Sequence, residues 1–220
     1  MEPRILSEAA EWMCLYQNRD GSFNETEWYE HPLDQKMDPR SKIEGESDRL
    51  RRVPLTAHVL ITLHEVQDKL QGDGKAAVAT AKMRAMQYLQ RALSILTDPY
   101  EICITAYALT ISNSRFRDLA FIKLEQARSE IEGMYYWARD VVETNPVTKD
   151  VNQRPYLEPK NEQEWDAQSV EATSYALLVY LRRDGIGIDQ EKIVLWLNTM
   201  RMFDSAWLST VVSGREGSEP

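Results

Sequence analysis

Cysteine is scarce in this chain: Cys14 and Cys103 are the only two in 220 residues. Neither stands at a metal-ligand spacing with histidine, so no metal and no cofactor is expected. Two thiols leave the redox compartment open, and both lie in helical, apolar contexts that suit buried free cysteines. Long apolar runs are absent too. No stretch reaches the roughly 18 residues that a membrane span needs. Met1-Glu2-Pro3-Arg4 leads straight into an amphipathic segment, without the apolar core of a signal peptide. Positive charge is in deficit. Lys and Arg number 26 against 35 Asp and Glu, a net charge of −9, which disfavours the basic face that nucleic-acid phosphates require. The rest is ordinary soluble composition, 43% hydrophobic and 28% charged, in a chain long enough for one domain with a real core.

What the chain does have is repetition. A unit of the form Thr-[Ala/Ser]-[Tyr/His]-[Ala/Val]-Leu occurs at Thr56-Ala57-His58-Val59-Leu60, Thr105-Ala106-Tyr107-Ala108-Leu109 and Thr173-Ser174-Tyr175-Ala176-Leu177. An aliphatic residue precedes each threonine by three positions: Val53, Ile102 and Val170. A second unit interleaves with the first. Trp12 and Phe23 stand eleven apart around Gln17-Asn18-Arg19-Asp20-Gly21-Ser22, and Trp196 and Trp207 stand eleven apart around Arg201 to Ala206. Two alternating local units describe a helical repeat array, in which each unit buries its apolar face against its neighbours.

Helical periodicity dominates. Helices are expected near Ile5–Gln17, Pro54–Gln71, Lys75–Leu96, Pro99–Ser112, Phe116–Gly133, Gln168–Arg183 and Gln190–Met202. Pro54 and Pro99 suit a first helical turn, Asp98 is a good N-cap, and Gly72, Gly133 and Gly185 suit left-handed helix ends. Segments carrying the threonine unit are nearly uncharged for two turns, whereas those between them, such as Arg84 to Arg91, carry a single apolar stripe. Alternation of mostly buried and half-exposed helices describes two concentric layers, an all-α α/α toroid. Leu60, Leu109 and Leu177 are expected to be buried, and Tyr107 and Tyr175 to line the core. Two stretches break the array: residues 24–52, polar and charge-dense, and residues 140–166, with Pro146, Pro155 and Pro159. Loops of that length are often functional or mobile. The tail from Ser213 to Pro220 is expected to be disordered.

Within the first loop, His31 follows Phe23 by eight positions. It is either an exposed loop residue or a general base, since imidazole titrates near neutrality. Asn24-Glu25-Thr26 is an N-glycosylation sequon, and Arg49-Leu50-Arg51-Arg52 has the form of a furin-type cleavage site, with a solvated basic helix start as the plain alternative.

The elements Trp12…Gln17-Asn18-x-Asp20-Gly21-Ser22-Phe23, Leu55 to Leu63, Ala106-Tyr107-Ala108-Leu109, Val170-Glu171-Ala172-Thr173-Ser174-Tyr175-Ala176-Leu177-Leu178 and Trp196-Leu197-Asn198-x-x-Arg201 occur in order. Together they resemble the thioester domain of the complement C3 and α2-macroglobulin family, over about Ile5 to Val212. The resemblance implies a six-hairpin α/α toroid with an internal thioester made by the Cys and Gln of a Cys-Gly-Glu-Gln motif. In hydroxyl-reactive members a histidine displaces the acyl group and frees the cysteine thiolate to act as base, and the matching position here is His31. The chain departs from the pattern in several places. It holds no Cys-Gly-Glu-Gln, so neither Cys14 nor Cys103 is a thioester cysteine. The motif is expected upstream of Met1, which makes the chain a fragment or a thioester-independent relative, such as a macroglobulin-complement-related protein. About four of six hairpins are present. The Gly-Gly that follows the family's histidine gives way to a charged loop from Pro32 to Arg52. Ser7 and Leu70 stand roughly where complement members pair cysteines.

These features point to a segment, residues 1–212, of a secreted recognition and attachment module of innate immunity or protease inhibition, rather than to a turnover enzyme. Its expected partners are proteins: target surfaces, proteases or receptors, the remainder of its parent chain, and itself, through apolar faces that an incomplete toroid leaves open. No nucleic-acid partner and no membrane span are expected. The rivals are a toroid enzyme of the prenyltransferase, terpenoid-cyclase or glycosidase type, which needs paired carboxylates or an acidic metal site, and a structural helical-repeat scaffold. Glu171 is the one carboxylate beside a repeat unit.

Overall fold

The computed structural model describes residues 3–24, 52–70, 72–139 and 164–200. His31, Arg49, Arg51 and Trp207 lie outside the described residues, and so does the tail. Within them the chain is all-α apart from one hairpin: α1 (Pro3–Leu15), α2 (Val53–Val66), α3 (Gly72–Ala92), α4 (Pro99–Ile111), α5 (Arg117–Gln126), β1 (Ser129–Ile131), β2 (Met134–Tyr136), α6 (Glu164–Asp184) and α7 (Ile188–Thr199). A short 3-10 turn, Gln67–Lys69, follows α2. The chain forms two compact units, Met1–Thr97 with Ile104–Lys123, and Asp98–Cys103 with Leu124–Pro220.

In the first unit α3 packs on both α1 and α2. Helix α3 buries Val78, Ala81, Ala85, Tyr88, Leu89 and Ala92, a single stripe at intervals of three and four that matches one face of a helix. Helix α2 buries Val53, Pro54, Thr56, Ala57, Val59, Leu60 and Leu63, and Pro54 sits in its first turn as the missing N–H allows. Helix α4, whose residues up to Cys103 belong to the second unit, is buried all round from Tyr100 to Ala106, as the absence of charge from Ile102 onward favours, and it carries the carboxylate of Glu101 into that burial. It ends at Asn113, whose left-handed backbone (φ 52°) lets Ser114 N–H close on Leu109 O at 2.9 Å.

In the second unit α7 packs on α6 and on β2. Asp98 caps α4: its Oδ1 accepts the Glu101 N–H at 3.2 Å. The helix expected over Phe116–Gly133 stops at Gln126. Past it, Ile131 pairs with Met134 across the two-residue turn Glu132-Gly133, and both turn residues have positive φ, 50° and 78°. That is the primed turn that suits a tight hairpin, so Gly133 closes a hairpin rather than a helix. The aromatic run Tyr135-Tyr136-Trp137 favours extended backbone and overrides the helical pattern before it. Gly72 has positive φ (63°) at the start of α3 rather than past the end of a helix, whereas Gly185 (φ 74°) ends α6 with its N–H on Leu181 O.

Leu60 and Leu109 are fully buried. Leu177 is not; it is half-buried, and so are Tyr107 and Tyr175. The third position of the threonine unit, held by His58, Tyr107 and Tyr175, is half-buried in all three copies. In α6 the buried stripe runs through Ala172, Thr173, Ala176, Val179 and Tyr180, which turns Leu178 and Leu181 toward solvent.

Candidate functional site

The turn from Gln17 to Phe23 is built by its own side chains. Asn18 N–H donates to Ser22 O at 2.9 Å and Gly21 N–H to Asn18 O at 3.0 Å. Asp20 Oδ1 accepts both the N–H and the hydroxyl of Ser22, at 3.0 and 2.7 Å, the local bonding that makes Asp a turn former. Burial pushes the Asp20 carboxyl up, but the two bonds from Ser22 and the Arg52 guanidinium outweigh it and hold Asp20 below the ordinary carboxylate range. Helix α3 grips the turn from below. Arg84 donates to Asn18 O and Arg19 O, Arg91 to Asp20 O, and Gln17 Nε2 bridges Gly21 O and Ala81 O. Gly21 lies so close to α3 that a Cβ there would stand 2.3 Å from Arg84 O.

This turn delivers Phe23 to α2. The Phe23 ring is buried, and its backbone N–H donates to Thr56 Oγ1 at 3.0 Å. Thr56 is the first residue of the first threonine unit and is itself fully buried. The same bond recurs in the second unit of the structure: Trp137 N–H donates to Thr173 Oγ1, also at 3.0 Å. Trp137 is fully buried, gives its indole N–H to Leu124 O at 2.8 Å, and meets Tyr180 edge to face. Tyr136 stacks on Trp196 at 5.1 Å. A buried aromatic residue whose backbone N–H closes on the repeat threonine thus accompanies two of the three copies of the threonine unit. Trp137 stands outside the aromatic pairs spaced eleven apart, so that spacing does not reveal it. The usable signal was the interval from aromatic to threonine, 33 residues for Phe23 and 36 for Trp137. Thr105 stands at the same motif position and is equally buried, but its hydroxyl makes no hydrogen bond; the short connection from Leu93 to Asp98 carries no aromatic residue.

Of the residues expected to carry chemistry, Asn24 follows the first of these bonds directly. It is exposed, and its Oδ1 accepts the Asn18 amide at 3.1 Å. Arg52 stands at the start of α2, 3.7 Å from Asp20 Oδ2, with its carbonyl accepting the Thr56 N–H. Ser7 donates to Glu11 and Leu70 is buried. Both cysteines are free. Burial drives the Cys103 thiol well above its ordinary value, with Asp98 adding to the effect, and raises Cys14 less, with help from Glu11.

The carboxylates relevant to an enzymatic alternative are engaged. Asp98 pairs with Arg139, and Glu171 accepts the Tyr100 hydroxyl at 3.1 Å. Glu171 keeps solvent contact as a residue, but the protein around its carboxyl withholds enough water to raise it, with the Tyr100 bond opposing. Glu125 accepts from Tyr180 and Arg128. Arg128 and Lys192 stand over the Tyr135 ring at 4.0 and 4.5 Å. Among the described residues no group of three His, Cys, Asp or Glu could hold a metal ion, and no helix is long and apolar enough to cross a membrane.

Two comparisons bear on this arrangement. Residues 1–212 match the family model of the A-macroglobulin TED domain. The chain is also 30% identical to Complement C3 of Lethenteron camtschaticum over 204 residues, which is 91% of this chain. The protein belongs to the α-macroglobulin and complement family, and the region it represents is the thioester-containing domain. It spans about a tenth (11%) of the length of that relative.

Proposed function

We propose that the chain is the toroidal recognition and attachment region of a secreted complement- or macroglobulin-like protein, acting in innate immunity or protease inhibition. The observation that carries this is the family match across residues 1–212 in a sequence without Cys-Gly-Glu-Gln. The chain holds no acyl donor of its own, and it is not a turnover enzyme. His31 is the position for transacylation wherever a thioester is supplied upstream; there a neutral imidazole attacks the acyl carbon and releases the cysteine thiolate. The partners are protein surfaces: targets, proteases or receptors, the rest of the parent chain, and further copies through apolar surface left open.

Two modifications belong to the same reading. Asn24, exposed and next to the anchored Phe23, carries an N-glycan. Processing at Arg49-Leu50-Arg51-Arg52 frees the start of α2. A cut after Arg52 needs the first turn of α2 to open, because Val53 is fully buried and the Arg52 carbonyl is a helix acceptor.

The test is to incubate labelled chain with microbial and host-cell surfaces and proteases. Binding that washes off in detergent and denaturant is expected. No binding to any surface or protease would reject the recognition reading, and attachment that survives denaturant but yields to hydroxylamine would show an ester and reject the absence of an acyl donor.

A further inference from the structure

The cations of the first unit gather at one end of α3. From Ala76 to Ala92 this helix holds Lys82, Arg84 and Arg91 and no carboxylate. Two other segments are tied to its C-terminal half. Arg84 donates to Asn18 O at 2.7 Å and to Arg19 O at 3.2 Å, and Arg91 donates to Asp20 O at 2.5 Å. One residue before Arg91, Gln90 Nε2 donates to Ser114 Oγ at 2.9 Å, which brings Arg115 and Arg117 to the same end. Lys123 closes it, with Nζ donating to Leu93 O and Ser94 O at 2.7 and 3.2 Å. Arg19, Arg91, Arg115 and Arg117 are exposed, and Arg84 is half-buried.

The groups that hold these guanidiniums are neutral. Arg84 and Arg91 bond backbone carbonyls, Arg117 bonds the side-chain oxygen of Asn113, and Arg115 lies over the Phe116 ring at 5.2 Å. Among the described residues none of the five arginines has a carboxylate within ion-pair distance. A carbonyl fixes a guanidinium without cancelling its charge, and most of its five N–H donors stay available. Residues 17–23, 76–92 and 113–123 together hold two carboxylates, Asp20 and Asp118. Asp20 is taken up by Ser22 and Arg52, and Asp118 is likewise engaged.

Charge that is held in place and left uncancelled binds an anion at low ordering cost. We propose that this arginine cluster binds a sulfated polysaccharide of the target surface. The planar guanidinium fork matches the oxygens of an oxyanion, and arginines presented from three segments suit separate sulfates spaced along a sugar chain. At net −9 the rest of the protein repels a polyanion, which confines the contact to a short run of sugars. This rests on the extracellular recognition reading above, for which it names one class of target.

The probe is a heparin octasaccharide, titrated into the full chain by calorimetry at about 0.05 and 0.2 M salt. Binding that weakens with salt is expected. Arg19→Gln with Arg115→Gln spares the arginines that grip the turn; it should weaken binding about tenfold and flatten its salt dependence. Lys69→Gln with Lys75→Gln removes the same charge from the start of α3 and the turn before it, and should leave binding unchanged. All four side chains are exposed, and circular dichroism verifies that both variants fold. No binding at the lower salt, or an equal loss in the two variants, would overturn the proposal. Equally tight binding to single-stranded DNA or to phosphatidylserine vesicles would overturn the assignment to a sulfated sugar. A chain that fails with heparin yet still binds cell surfaces loses this inference alone, whereas one that binds neither loses the recognition reading as well.

Discussion

Thr173 Oγ1 accepts the backbone N–H of Trp137 at 3.0 Å, and Thr56 Oγ1 accepts that of Phe23 at the same distance. These four residues are buried, so each hydroxyl satisfies an N–H that water does not reach. Thr105 occupies the same motif position with nothing to satisfy. One substitution should therefore have opposite effects at equivalent sites. Thr56→Val and Thr173→Val should each cost about 1–3 kcal/mol by orphaning an N–H, whereas Thr105→Val should be neutral or stabilising. Urea denaturation of the three variants measures this; equal losses at all three sites would mean the bonds contribute nothing specific.

Gly21 should be far less replaceable than Gly72. Both have positive φ, 95° and 63°, but a Cβ at Gly21 would strike Arg84 O at 2.3 Å, whereas nothing lies within 4 Å of one at Gly72. Gly72→Ala should cost about 1–2 kcal/mol, the ordinary penalty for a left-handed residue. Gly21→Ala should cost more, because α3 must also give way. Melting temperatures decide, and comparable shifts would mean the turn moves freely off α3.

Much of this was legible in the sequence. The uncharged run from Ile102 to Ile111 matches the burial of α4 from Ile102 to Ala106, the three-and-four spacing in α3 shows a single buried face, and Asp98-Pro99 marks a capped start. The hairpin after α5 is hard to read because the charged residues Arg128, Glu130 and Glu132 continue a helical pattern up to Gly133, against which the extended preference of Tyr135-Tyr136-Trp137 is the one opposing local signal. Leu177, Tyr107 and Tyr175 were placed too deep, since a motif fixes which residues share a helical face but not what covers that face. The bond from Phe23 to Thr56 joins residues 33 apart, and no local periodicity reports such a contact.

Stability should fall as pH rises through the titration of Glu171. Partial loss of water around its carboxyl raises its folded-state value above that of the unfolded chain, and because the residue is still exposed the effect should be small. Its contribution is thus fully present below the unfolded value, near 4.5, and is lost as pH rises through the folded one. Tyr100→Phe removes the bond that opposes the shift, so it should steepen the fall, and Glu171→Gln should flatten it. Denaturation midpoints between pH 4 and 7 provide the measurement; a Glu171→Gln profile parallel to the parent would contradict the assignment.

Asn24 should carry a glycan when the chain is made in a secretory host. Treatment with peptide N-glycosidase should shift its mobility, and Asn24→Gln should remove the shift. An unmodified intact mass from such a host would reject the site.

In a parent-length protein whose upstream sequence supplies a thioester, His31→Ala should move acyl transfer from hydroxyl targets to amines. A hydroxyl is too weak to attack the thioester unaided, whereas an amine is not. Equal glycerol labelling with and without His31 would reduce the histidine to a loop residue.

The most direct test of a recognition region without its own covalent chemistry is methylamine treatment of the folded chain, followed by intact mass and thiol counting in denaturant. The expected result is an unchanged mass and two titratable thiols, Cys14 and Cys103, before and after treatment. Uptake of one methylamine with release of a thiol would show a thioester within these 220 residues and contradict the proposal.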